Sequence, residues 1–211
     1  SRGGAADHAA MKFAERGYVV KLGFFPFKFE EMYNFPEGYK LIIVNSHVKS
    51  NKTTNSKDAF NSRVASYEFG VMIFKEKFPQ YKGVVEHLRD INPKNLGVPP
   101  SKIYELLLQL PEKVTPDELF MLISEEHHER IRRILSTHNP PDYYYVRAVT
   151  MFGIAECCRA ILCKSLLDAG KIEEFGKMMN ISHNGDRVVF FDEEGQMHEY
   201  DWSLSDEKLK D

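Results

Sequence analysis

Apolar positions along this chain switch between a spacing near two and a spacing near 3.6, and the switches mark its elements. Residues 7–16 carry helical spacing, with Asp7 as an N-cap candidate and Gly17 where a helix usually stops. Residues 18–22 read as a strand. Phe25, Phe27 and Phe29 alternate at period two and predict a second strand, with Pro26 pointing to an edge. Pro36-Glu37-Gly38 is a turn signal, and Leu41-Ile42-Ile43-Val44 follows as a buried strand. Residues 50–58 are polar and predict a loop. Phe60, Val64, Tyr67, Val71, Phe74 and Phe78 then step by four or three along one helical face, until Pro79 ends it.

The second half is mostly helical. Residues 92–101, with three prolines and a glycine, read as a connecting loop. Helices follow at residues 103–108, 116–124 and 125–135, the second opened by Thr115 with Glu118 in capping-box spacing. Asn139-Pro140-Pro141 breaks the chain before the longest helix, residues 143–169, which is apolar on most of its circumference and so predicted at the core. Leu166 to His183 gives a helix end, a break at Gly170, a second short amphipathic helix and a polar loop. Residues 188–191 and 197–202 flank Glu193-Glu194-Gly195-Gln196 as a hairpin. Early strands, a helical middle and a late hairpin predict an α+β fold, an antiparallel sheet packed with helices, over alternating β-α units.

Composition narrows the function classes. A hydrophobic content of 43% in 211 residues supports one or two domains with a real core. A net charge of −3, without a concentrated basic face, argues against nucleic acid as a partner. No apolar run approaches the roughly 20 residues that span a bilayer, so no membrane partner is expected. Cys157, Cys158 and Cys163 share one predicted helix and are odd in number, which predicts buried, reduced thiols in a cytoplasmic protein. The start, Ser1-Arg2-Gly3-Gly4, lacks Met and the apolar core of a signal peptide, and reads as a cut into a longer protein.

Candidate chemistry begins at Gly3-Gly4-Ala5-Ala6-Asp7-His8. Adjacent glycines let backbone approach a ligand, and a carboxylate at a helix N-terminus is held ionised by the helix dipole. Such a carboxylate either caps the helix or accepts a proton from a substrate hydroxyl. His127 and His128 adjoin Glu125, Glu126 and Glu129, but neighbouring helical positions diverge by about 100° and no H-E-x-x-H spacing occurs, so a solvated charged face is expected. Tyr143, Tyr144 and Tyr145 read as packing residues. Apart from Gly3-Gly4 the glycines are scattered, and no loop offers the converging N–H groups that cradle nucleotide phosphates.

The order Leu167, Gly170, Phe175-Gly176, Met179, Ser182-His183 resembles the run L-x-x-G-D-x-x-x-F-G-x-L-M-x-x-S-H of galactokinases, sugar kinases of the GHMP superfamily, with Lys171 in place of the acid. Gly3-Gly4-Ala5-Ala6-Asp7-His8 is similar to that family's G-G-x-x-D-H. Ser46-His47-Val48 and Phe60-Asn61-Ser62-Arg63 resemble its S-x-V and Y-N-x-R, with Phe60 replacing Tyr. Arg147-Ala148 resembles the start of R-A-x-H, with Thr150 at the His position. After His183 the family continues S-L-R-D-x-Y, whereas this chain has Asn184-Gly185-Asp186-Arg187 and then the hairpin.

The resemblance implies a GHMP-type C-terminal domain at residues 18–211, with a hairpin insertion at 187–202, preceded at 1–17 by the end of an N-terminal kinase domain. It implies ATP-dependent phosphorylation of a galactose-like monosaccharide with Mg²⁺. Asp7 would be the catalytic carboxylate, and Gly4, Asp7 and Phe60 would contact the sugar. Phe60 also lies on the apolar stripe, so core and pocket roles both stand open; its missing hydroxyl removes one hydrogen-bonding group. The family's P-x-G-x-G-x-S-S-S and R-x-N-L-x-G-E-H motifs lie outside these residues. The expectation is therefore a piece of a kinase that binds neither ATP nor Mg²⁺ tightly by itself. The alternative is a non-catalytic sugar-binding or interaction domain on a kinase-derived scaffold.

Overall fold

The computed structural model describes residues 6–24, 26–45, 55–187 and 189–210. It is an α+β fold whose described strands form two separate antiparallel pairs. The described residues within 2–49 and 159–182 form one compact unit, and those within 50–158 and 183–210 form another. No helix among the described residues is long and apolar enough to cross a membrane.

Helix α1 spans Ala6–Phe13, with Asp7 inside its first turn and not at a cap. Gly17, at φ +86°, carries the chain out of the following turn into strand β1, Tyr18–Gly23. β1 pairs with β2, Lys28–Asn34, setting Tyr18 opposite Asn34 and Gly23 opposite Lys28. The second strand thus starts later than the phenylalanine alternation predicts. Phe25 lies outside the described residues, and Pro26, which has no N–H to give a ladder, falls in the turn with Phe27. The alternation instead marks an aromatic cluster, with Phe13 5.6 Å from Phe27 and 5.7 Å from Phe29.

Leu41-Ile42-Ile43-Val44 corrects a second expectation. These residues join no ladder and are 78–89% exposed, so they are not a buried strand. Strand propensity measures fit to a pleated, half-buried surface, and here no described strand pairs with the run.

Helix α2, Asn55–Lys77, takes in the end of the expected polar loop. Its buried face is Ala65, Phe69, Met72 and Ile73, joined by Phe74 and Phe78. The predicted stripe lies one position away over the first half, leaving Val64, Tyr67 and Val71 half-buried and Phe60 48% exposed. One helical position is a rotation of about 100°, enough to take Phe60 out of the core.

Prolines open the next helices. α3 (Pro93–Leu96), α4 (Pro100–Leu108) and α5 (Pro116–Leu122) each have Pro in the first turn, where its fixed φ suits a helix and its missing N–H costs nothing. The predicted loop at 92–101 therefore holds a one-turn helix, capped by Asn92 accepting from Asn95 N at 2.9 Å, and the start of α4. The capping box at Thr115 forms as read: Glu118 N donates to Thr115 Oγ1 at 3.2 Å, and Thr115 N donates to Glu118 Oε2 at 2.7 Å. A 3-10 turn leads into α6, His128–Leu135, which buries Ile131 and Ile134.

Tyr144 exchanges backbone hydrogen bonds with Val114 before α7, Val146–Asp168, begins. Only its first half is core, from Val146 to Ile154; Ile161 and Leu162 are exposed, so its apolar circumference overstated its burial. Cys158 is exposed as well and Cys157 and Cys163 are half-buried, against the expectation of three buried thiols, and none of the three forms a disulfide. Gly170, at φ +66°, separates α7 from α8, Ile172–Gly185, which contains Ser182 and His183 where a polar loop was expected. Strands β3 (Val189–Phe191) and β4 (Met197–Glu199) form the predicted hairpin, though the second strand stops at Glu199 and not Trp202, and Val188 lies outside the described residues. A five-residue helix, α9 (Asp206–Lys210), packs Leu209 into the core.

Candidate functional site

Asp7 is exposed in the first turn of α1, and the only buried residue of that helix is Ala9. A carboxylate there meets the positive end of the helix dipole and stays open to a ligand. Gly4, another of the three predicted sugar contacts, lies outside the described residues, as do Ser46 and Val48. Asp7 and Phe60 belong to different units, so neither unit by itself holds both of the described sugar-contact candidates.

The stretch from Phe60 to Arg63 divides its work. Asn61 is buried, and its Nδ2 donates to Thr137 O at 2.8 Å, tying α2 to the turn after α6. The Arg63 guanidinium carbon lies 3.9 Å from the Trp202 ring centroid and 5.2 Å from that of Phe152, and its Nη2 is 2.9 Å from Asp186 Oδ1. Both residues are thus committed to the protein's own structure. Phe60 presents much of its ring to solvent and is the one aromatic of this stretch available to a ligand.

Arg147 is committed too. Its Nε donates to Leu110 O at 2.9 Å and its Nη2 to Leu108 O at 2.9 Å, while Nη1 donates to Leu204 O at 3.0 Å and Asp206 Oδ1 at 2.7 Å. Thr150, at the family's histidine position, is fully buried with its hydroxyl unpartnered. Ser182 and His183 sit in the last turns of α8, with His183 exposed. His128 Nε2 is 3.0 Å from Ile123 O, and its ring packs edge-on to Phe120 at 5.1 Å, a packing role. Among the described residues no three His, Cys, Asp or Glu side chains gather as a metal site.

One polar cluster escaped the sequence reading. Lys164 Nζ lies 2.8 Å from Asp168 Oδ2, 3.4 Å from Glu31 Oε2 and 5.2 Å from the Tyr33 ring centroid, while Tyr33 OH donates to Glu31 at 2.5 Å. The bond to Asp168 holds the Lys164 amine above its ordinary range, so it is a fixed cation and a poor base or nucleophile at neutral pH. The Tyr33 bond holds the Glu31 carboxyl low, and burial pushes the Tyr33 phenol up. The cluster fastens β2 to α7. Its only sequence signal was the four-residue spacing of Lys164 and Asp168.

Comparison of the chain with family models and with curated proteins gives no match.

Proposed function

We propose that this chain is the central and C-terminal-domain part of a cytoplasmic, ATP-dependent sugar kinase of the galactokinase kind, with a GHMP-type C-terminal domain. Its acceptor is a galactose-like monosaccharide. The observation that carries the reading is the order of matched stretches: Gly-Gly-Ala-Ala-Asp-His, Phe-Asn-Ser-Arg, Arg-Ala, then Phe-Gly-Lys-Met-Met-Asn-Ile-Ser-His. The exposure of Asp7 and Phe60, the two described residues assigned to the sugar, is compatible with it.

The sequence offers no loop expected to cradle a nucleotide triphosphate, so we assign the matched residues to the acceptor side of the reaction. Asp7 orients the acceptor hydroxyl and takes its proton as the oxygen becomes the nucleophile. Phe60 offers an apolar face to the sugar and no hydroxyl. In phosphoryl transfer most of the catalysis is positioning and charge stabilisation, so the acceptor-side residues set which hydroxyl reacts.

The test is a Mg-ATP phosphorylation assay on the longer polypeptide over a panel of monosaccharides, beside calorimetry of the 211-residue chain. Transfer to a galactose-like sugar by the longer protein supports the reading. Sugar binding without transfer would favour the non-catalytic alternative. For the chain alone, Mg-ATP binding should be weaker than about 100 μM, roughly −5.5 kcal/mol.

A further inference from the structure

Residues 202–210 have little structure of their own to rely on. α9 has five residues, well short of the length at which a helix holds without packing. Ser205 supports its first turn, accepting from Lys208 N through Oγ at 3.2 Å and from Leu209 N through its carbonyl at 3.0 Å. The remaining order comes from contacts with the rest of the unit; beyond the adjoining Asp201, which accepts from Ser203 N at 2.9 Å, the polar ones among the described residues fall on two arginines.

Arg63 is the first anchor. It pairs with Asp186, just after α8, and lies against Trp202, shortly after β4. One guanidinium therefore holds both ends of the β3–β4 insertion. Arg147 is the second. Two of its nitrogens take the carbonyls of Leu108, the last residue of α4, where helix carbonyls lack intrahelical partners, and of Leu110, just past it. The third takes Leu204 O and Asp206 Oδ1. The Arg147 side chain is only 6% exposed, so losing Asp206 would strip a nearly buried cation of its closest counter-charge.

The chain between Trp202 and Asp206 is too short for the anchors to act separately. Four residue steps span at most about 14 Å, so slack at one anchor is felt at the other. We propose that residues 202–210 form a strap that docks and detaches as one unit, with Arg63 and Arg147 as its anchors and the β3–β4 hairpin carried with it.

Trp202 is the chain's single tryptophan and reports the first anchor directly. Asp206→Asn keeps the side-chain shape at the second anchor and removes the charge. In the 211-residue protein this variant should shift Trp202 emission to the red. It should also speed amide hydrogen exchange at residues 204–210 by about tenfold or more, the scale of a hydrogen bond to a charged group, while α4 and the first half of α7 keep their protection. Trp202→Ala should speed exchange at Leu209 as much, and Trp202→Phe, which keeps a ring on Arg63, should speed it less. Unchanged Trp202 emission in Asp206→Asn, or equal Leu209 exchange in the Ala and Phe variants, overturns the proposal.

Discussion

The buried hydroxyl of Thr150 on α7 occupies the space that a side chain at Gly70 on α2 would need. A Cβ at Gly70 would overlap Thr150 Oγ1 and stand 3.3 Å from Thr150 Cβ. The two helices meet there with no room for one more carbon. Gly70→Ala should therefore destabilise the protein by about 1–3 kcal/mol, the usual range for overpacking. Thr150→Ala in the same chain should recover part of that loss, because the overlapping atom is gone. Urea denaturation of the two single variants and the double would decide it. Strict additivity would mean that the helices move apart freely and the contact carries no strain.

Glu76 makes stability depend on pH in one direction. It accepts from Ser124 Oγ at 2.7 Å and from Lys82 Nζ at 3.2 Å, joining the end of α2 to the turn before α6. The Ser124 bond foremost, with Lys82, holds the carboxyl below its ordinary value of 4.5. A folded-state value below the unfolded one adds stability that is complete above about 4.5 and is lost as pH falls through the lowered value. Glu76→Gln should thus cost about 1 kcal/mol at pH 7 and progressively less in acid. Urea midpoints of wild type and variant at pH 7 and near pH 3 give the comparison. A constant gap would show that the carboxylate charge adds nothing.

What could be read from the sequence were the features decided within a few residues. The Thr115–Glu118 capping box, the Gly170 break and the hairpin around Gly195 depend on local geometry, and all three form as expected. The prolines misled because the same residue that breaks a helix interior also starts a helix well, as at Pro93 and Pro100. The buried face of α2 was misplaced because its first half packs Ala65 and Phe69, and small Ala65 gave a weaker apolar signal than Phe60. Residues 41–44 had the propensity of a strand but no described partner. In the candidate site, the commitments of Arg63 and Arg147 were illegible, since their partners at 186, 202, 204 and 206 lie far along the chain and only the fold brings them close.

Phe60 separates a packing role from a ligand role. Its ring is about half exposed, so Phe60→Tyr should change stability by less than about 0.5 kcal/mol, as surface substitutions usually do. In the kinase proposed above, the added hydroxyl should raise discrimination for galactose over related sugars, because a site built to bond a hydroxyl rejects analogues lacking it. The measurement is the ratio of kcat/KM across a sugar panel. An unaltered ratio with unaltered stability would remove Phe60 from the sugar site.

Asp7 carries the chemical claim. It lies exposed in the first turn of α1, where its charge favours the helix end by about 0.3–1 kcal/mol. Asp7→Asn should therefore lower stability by less than about 1 kcal/mol. The carboxylate's capacity to take a proton disappears entirely, and loss of a general base typically costs about 10²- to 10⁴-fold in rate. In the kinase proposed above, kcat should fall by that factor while sugar KM changes little, since the amide still bonds the acceptor hydroxyl. Asp7→Glu keeps the charge but moves it by a methylene, and should retain more activity than Asn if proton transfer is what is lost. The same melting temperature in all three proteins would rule out unfolding as the cause. A fully active Asp7→Asn enzyme would leave Asp7 only its favourable interaction with the end of α1.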